Sequence, residues 1–311
     1  MPTPSPRSLA ARILLVSLVL PPPALFAWGS KGHQIINAIA ISKLPSDVPK
    51  FLTAPAAVNE ITWLGPEPDR WRSPMEPELN AAQAPEHFID LEIAEMPGPL
   101  PHRRFDYIAS LYAAGLNHPD MARDLRPERA GLLPYEAVEV FERLQAALRS
   151  YRESLAQNKD TAPAEQAAIF YAGWLGHYVG DGSQPLHVTV NYNGWTQKDN
   201  PHNYANDHKI HARFETVFVD RNIERANIEP LITPVRVLDH PFDDFVAYLH
   251  QTQSYMDKVY ALDQQNGFDG AGTEESRKFT AERIAAGASM LRDMIDTAWV
   301  DSAKPLPADR D

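Results

Sequence analysis

The stretch Gly173–His187, reading GWLGHYVGDGSQPLH, sets the strongest limit on what this chain can fold into. It closes a segment, Ala164–Gly180, that is apolar nearly all round, and such a helix belongs at the centre of a bundle. Yet the same stretch carries His177 and Asp181, four residues apart and therefore on one face, one turn later. Gly180 and Gly182 loosen the backbone, Pro185 forbids further regular helix, and His187 returns just beyond the turn. Downstream, HKIHARFE repeats the four-residue step with His211 and Glu215, and His208 stands three residues earlier as an alternative ligand. Imidazole and carboxylate are the ligands zinc takes when cysteine is absent, and this chain has no cysteine. Two such pairs and a third histidine read as a metal site; the competing reading is a pair of ordinary helical contacts.

The N-terminal residues have the parts of an export signal. Arg7 and Arg12 form a basic region without acids, Ile13–Leu20 is a short apolar core, Pro21–Pro23 breaks it, and Ala27 offers a small residue before a cleavage point. Spanning a bilayer takes about 20 apolar residues, so the core is too short to cross, although a retained N-terminal anchor is the alternative. The expected organisation is a signal over 1–27, one domain over 28–302 that is periplasmic or secreted, and a short tail over 303–311. Cleavage would leave 27 basic against 41 acidic side chains, a charge of −14 in place of −12. So acidic a protein is a poor general binder of duplex nucleic acid. A phosphate substrate is still allowed, because bound metal ions can dominate the local field. No stable protein partner is implied, and a monomer is expected.

Helical periodicity recurs almost everywhere, and alternating Val-rich runs are missing. Helices are predicted over Lys31–Leu44, Asp47–Leu52, Ala56–Leu64, Arg103–Leu116, Tyr135–Gln157, Lys209–Val219, Phe242–Leu262 and Glu274–Val300, besides the central one. Arg103–Leu116 has Phe105, Ile108, Leu111 and Tyr112 at helical spacing. Tyr135–Gln157 carries an apolar stripe of Val138, Phe141, Leu144, Leu148 and Tyr151. Trp63, Trp71, Trp174 and Tyr178 read most simply as core. His102, His118, His202, His240 and His250 read as surface or loop residues. Gly65–Pro85 and Pro97–Pro101 read as ordered loops over the bundle. Asn191–Asn206 is a polar loop with Tyr192, Trp195 and Tyr204, open to three readings: linker, substrate rim or plain surface loop. The expected fold is all-α, a single-domain helical bundle.

Five segments occur in an order that carries a resemblance: WGSKGH at Trp28–His33, DRWR at Asp69–Arg72, EHFID at Glu86–Asp90, HYVGDGSQPLH at His177–His187 and HKIHARFE at His208–Glu215. Together they resemble the superfamily that joins bacterial zinc-dependent phospholipase C with single-strand-specific zinc nucleases. The resemblance implies a bundle with a trinuclear zinc cleft. One zinc would take Asp69, His87, His177 and Asp181; a second would take His187, His211 and Glu215. A third would take the free amine and carbonyl of Trp28, His33 and the second oxygen of Asp181. Signal cleavage would then create a ligand, since an amine has a lone pair for metal and an amide does not.

The implied chemistry is phosphodiester hydrolysis, with a metal-activated hydroxide attacking phosphorus in line. Asp69 would also orient the water, Arg72 would reach the phosphate, and Phe88 would stack a base. Each has an ordinary competitor: a surface histidine for His33, a salt bridge for Arg72, a core position for Phe88. Lys209 either contacts phosphate or faces solvent. His33 close behind Trp28, Arg72 after Asp69, and HFID favour the nuclease branch. NYNGWTQKDNPHNY replaces the usual glycine-rich segment, Lys209 stands where asparagine is expected, and Glu215 stands where that branch uses aspartate and the phospholipase branch glutamate. The leading expectation is therefore an exported zinc endonuclease of single-stranded DNA or RNA, perhaps also acting on 3′ nucleotides. The alternatives are a phospholipase C acting on phospholipid and a non-catalytic, zinc-stabilised binding module.

Overall fold

The computed structural model describes residues 28–305; the expected signal over 1–27 and residues 306–311 of the expected tail lie outside them. The main helices are α1 (Gly29–Ser42), α2 (Pro55–Leu64), α3 (Arg104–Asn117), α4 (Leu133–Ala156), α5 (Ala162–Asp181), α6 (210–222), α7 (Pro241–Gln253), α8 (Met256–Gln264) and α9 (Glu274–Asp301). Among the described residues there is no β-strand, only the isolated bridges Ile89–Gly131 and Tyr192–Gly194. No helix among them is long and apolar enough to cross a membrane. The all-α bundle expected from periodicity is the fold.

The apolar α5 lies at the centre, packed against α4, α2, α9 and α1. Leu175 and Val179 of α5, Ile36 and Ile39 of α1, Leu144 and Leu148 of α4, and Leu291 and Ile295 of α9 are all shut off from solvent. Close approach is possible because α5 presents glycines to its neighbours. A Cβ on Gly173 would stand 2.5 Å from the Leu64 side chain, and one on Gly176 would stand 1.9 Å from Asn37 Oδ1. Asn37 uses that gap to tie three helices, its amide donating to the carbonyls of Ile61 (2.8 Å) and Gly173 (3.0 Å). α9 starts where Thr273 and Ser276 cap each other's backbone amides.

Several local expectations differ from the structure. Asp47–Leu52 forms turns rather than a helix, and the single helix expected over Phe242–Leu262 is broken at Ser254–Tyr255 into α7 and α8. On α3 the buried face is Tyr107, Leu111 and Gly115, while Phe105 and Tyr112 point outward. The face is chosen by Tyr107, which stacks on Tyr135 of α4 at 4.8 Å. Trp63 is more than half exposed, with the Arg70 guanidinium 4.1 Å above its ring, whereas Tyr178 is buried as expected.

The α5 contact gives a direct test of packing. Gly176→Ala should destabilise the protein by about 1–3 kcal/mol, the usual range for overpacking. Denaturant midpoints would measure it, and a midpoint equal to the parent's would mean that Asn37 yields without loss.

Candidate metal centre

Six short pieces of chain converge at the C-terminal end of α5. α1 contributes His33, and a one-turn helix, Glu67–Arg70, contributes Asp69. The 3₁₀ turns Ala84–His87 and Pro185–His187 supply His87 and His187. α5 supplies His177 and Asp181. α6 supplies His211 and Glu215, the latter in its π-helical segment Arg213–Phe218; such irregular turns recur at functional sites. Prolines stand first or second in three of these turns, where a missing N–H costs nothing. All eight side chains are at least nine-tenths buried.

Backbone carbonyls determine how the imidazoles face. Nδ1 of His177 lies 2.9 Å from Gly65 O, that of His187 2.6 Å from His87 O, and that of His211 2.9 Å from Tyr192 O. A carbonyl only accepts, so each neutral ring donates from Nδ1 and keeps a lone pair on Nε2. The His187 and His211 Nε2 atoms are 3.2 Å apart, and Glu215 Oε2 stands 3.5 and 3.0 Å from them. His177 Nε2 meets His87 Nδ1 at 2.9 Å. Asp181 lies amid the rings, with Oδ1 3.4 Å from His33 Nε2 and Oδ2 3.2 and 3.4 Å from His87 and His177. Asp69 Oδ1 is 3.7 Å from His87 and 3.9 Å from His177.

Three sets of ligand atoms cluster closely enough to share an ion: His33, Asp69 and His177; His87, His177 and Asp181; His187, His211 and Glu215. Both ring nitrogens of His33, both oxygens of Asp69 and Asp181, His87 Nε2 and Glu215 Oε1 are buried with no hydrogen-bond partner. At about 1–3 kcal/mol for each orphan, the total rivals the whole stability of a typical domain. Converging lone pairs and unpartnered carboxylate oxygens suit divalent cations.

Ionisation is correspondingly strained. Burial pushes the Asp69 carboxyl well up, and Asp181 adds to this. Asp181 itself is held well below the carboxylate range because His177 and His187 outweigh its burial. Glu215 is also lowered, by His211 and His187 against its burial. Burial and His177 drive His87 down to about 3, and burial lowers His33. For His187, burial is overcome by Asp181 and Glu215, which raise it to about 9.

Trp28 packs next to these residues. Its indole N–H reaches Gly180 O at 2.9 Å and Ser183 Oγ at 2.7 Å, fixing residue 28 against the turn that carries Asp181. Gly180 leaves room for His33, whose Nδ1 would be 2.8 Å from a Cβ there.

His87, His187 and His211 open onto a cavity of about 490 Å³ that Arg72 and half-buried Phe88 also line. Lys209 is exposed and outside that lining. The Asn191–Asn206 loop is folded rather than a free linker: Trp195 and Tyr204 pack on Tyr260 of α8, leaving Tyr192 at the cavity wall. Sequence reasoning missed several residues. Gln184, inside the QPLH motif, donates to Glu215 (3.0 Å) while its carbonyl accepts the Leu186 amide, so it ties two ligand turns together. Asp90, two residues past Phe88, lines the cavity, and burial followed by Glu92 and Asp124 raises it to about 8. Asp124, Glu128 and Arg129 form another part of the wall and had no spacing signal to reveal them.

A family model described as S1/P1 Nuclease matches residues 28–310. No curated protein matches the chain. Among solved structures, the alpha-toxin of Clostridium perfringens avian strain SWCP is similar at 13% identity and TM-score 0.38, over 87% of this chain and 63% of the toxin. The alpha toxin of Clostridium absonum gives 14% identity and TM-score 0.37, over 88% and 65%. The chain thus spans just under two thirds of either toxin's length.

The raised His187 imidazole makes metal binding and pH interdependent. In ion-free protein its charged form adds stability that is fully present below its ordinary value of 6.5 and is lost as pH rises through about 9. A zinc ion must displace that proton, and any that Asp69 holds, so affinity should climb by at least about tenfold per pH unit until about pH 9, with proton release on binding. Calorimetry in two buffers of different ionisation heat measures that release. Equal heats in both would remove His187 from the binding step.

Proposed function

The chain belongs to the S1/P1 nuclease family, zinc-dependent hydrolases of phosphodiester bonds, and on that premise we propose an exported, monomeric endonuclease of single-stranded DNA or RNA that also acts on 3′ nucleotides. The observation that carries this reading is the shared cavity, where ligand histidines His87, His187 and His211 stand beside Arg72 and the Phe88 ring. Family membership sets aside the non-catalytic binding module.

We assign three zinc ions to the donor set. Asp69, His87, His177 and Asp181 would hold one; His187, His211 and Glu215 a second; Trp28, His33 and Asp181 a third. The buried orphan atoms of Asp69, Asp181, His33 and Glu215 support this assignment. Zinc bound there supplies a Lewis acid for phosphoryl oxygens and lowers the pKa of water. The side chains do the rest. Asp69 has two unpartnered oxygens with which to align an attacking water against phosphorus. Arg72, on the cavity wall and close enough to Asp69 and His87 to act on their ionisation, would donate to phosphate oxygens. Phe88 offers a face for a base, which only an unpaired strand presents. Asp90, raised to about 8 and so protonated near neutrality, can donate as well as accept at a base edge. Lys209, exposed on the approach to α6, is left as a contact for flanking phosphate.

A side-by-side assay tests the substrate class. Protein beginning at Trp28 and loaded with zinc should bind about three ions and cut single-stranded DNA and RNA far faster than it turns over phosphatidylcholine vesicles. Lipid turnover alone would replace this reading with the phospholipase one.

Processing would act as a switch. The buried indole holds residue 28 against Gly180 and Ser183, on either side of Asp181, which supports a free amine at residue 28 as a ligand of the centre. Adding one glycine before Trp28 should cost one zinc and most activity; full retention of both in metal analysis and assay would sink the idea.

A further inference from the structure

Three tryptophans that sequence patterning assigns to the core stand at the surface or partly open, and the nuclease site uses none of them. Trp63 is 55% exposed and Phe170 37% exposed, while Trp71 and Trp174 are partly exposed. Most of them touch one another: Trp71 meets Trp174 at 5.3 Å, and Phe170 meets Trp174 at 5.8 Å. Guanidinium groups sit among the rings, Arg70 at 4.1 Å over Trp63 and Arg143 at 5.3 Å from Trp174. Glu67 accepts from both Arg70 and the Trp71 indole (3.2 Å for the latter), which fixes the arginine and the ring relative to each other.

The patch adjoins the metal centre. Trp174 lies one helical turn before His177 on α5, and Trp71 follows Asp69 by two residues. We propose that it is an aromatic ledge, a second subsite that stacks unpaired bases of the strand beyond the scissile bond; the proposal rests on the nuclease reading. One observation selects this occupant. Aromatic faces with interleaved guanidinium groups match the alternation of bases and phosphates in a single strand. A duplex hides its base faces and gains nothing from such a ledge. A lipid surface would use the rings without needing the arginines among them.

The test is binding to zinc-loaded protein beginning at Trp28, read by fluorescence anisotropy with nuclease-resistant phosphorothioate oligothymidylates of about fifteen and about three nucleotides. The double variant Trp63→Ala, Phe170→Ala should lose about tenfold or more in affinity for the longer strand and less than about twofold for the shorter one. Trp63→Tyr, which keeps a stacking face, should stay near the parent. Both altered positions are exposed, and a thermal melt checks that the fold is kept. Equal losses on both lengths, or none, would overturn the ledge, as would loss of phosphatidylcholine vesicle binding with strand binding intact. Cleavage with no length-dependent loss removes the ledge and leaves the nuclease reading. Length-dependent binding without any cleavage does the reverse.

Discussion

The centre of this molecule depends on three N–H···O=C bonds that turn imidazole lone pairs inward. Gly65, His87 and Tyr192 each offer a backbone carbonyl to a histidine Nδ1, and the opposite nitrogens must then face one another. Without a cation, two lone pairs at 3.2 Å would repel, and unpartnered carboxylate oxygens would remain in a dry interior. Protons can relieve part of this, as the upward shift of His187 and Asp69 indicates, but a proton joins two atoms at a time. A divalent ion gathers four. The second layer of bonds thus specifies the ion as much as the ligands do.

The rest of the architecture makes that arrangement possible. A helix apolar on nearly every side can hold His177 and Asp181 only if neighbours bring complementary groups to within bonding distance. The glycines at 173, 176 and 180 let α2, Asn37 and His33 come that close. Each adds backbone freedom to the unfolded chain and so weakens α5 taken alone. Tertiary contact with four other helices outweighs the loss. Gln184 then couples the turn after α5 to Glu215 on α6, so the two ligand pairs seen in the sequence become one rigid unit.

How much of this could be read from sequence follows from the range of each signal. The pairs His177/Asp181 and His211/Glu215 are visible because helical geometry links residues four apart, and the helices carrying them needed no knowledge of partners. Asp69, His87 and His33 came through resemblance, since no local spacing joins them to α5. What failed was the choice of face. α3 has apolar residues on two sides, and only the position of Tyr135 decides that Tyr107 goes inward and Phe105 outward. Trp63 escaped for the same reason: it stays more than half exposed, with Arg70 over one face of its ring in place of a core. The break at Ser254–Tyr255 lacks any proline or glycine to announce it. Asp124 had no motif at all, and Asp90, although it closes the EHFID segment, had no role assigned by it; their meeting is a product of the folded loops.

An acidic enzyme acting on a polyanion looks self-defeating until the ranges of the fields are compared. Charges on the outer surface are screened within about 8–10 Å at physiological salt, so a net charge of −12 acts weakly on phosphate already inside the cavity. There zinc ions, once bound, and Arg72 on the cavity wall would both attract phosphate. The wall carrying Asp124 and Glu128 opposes phosphate but not a neutral base. In the proposed nuclease this division confines the phosphate to the metal end and leaves the rest of the cavity to the base. Duplexes, which present phosphate on every side and no base face, meet the repulsion without the compensating stacking. On that proposal, single-strand preference would arise from the charge layout as much as from the aromatic ring.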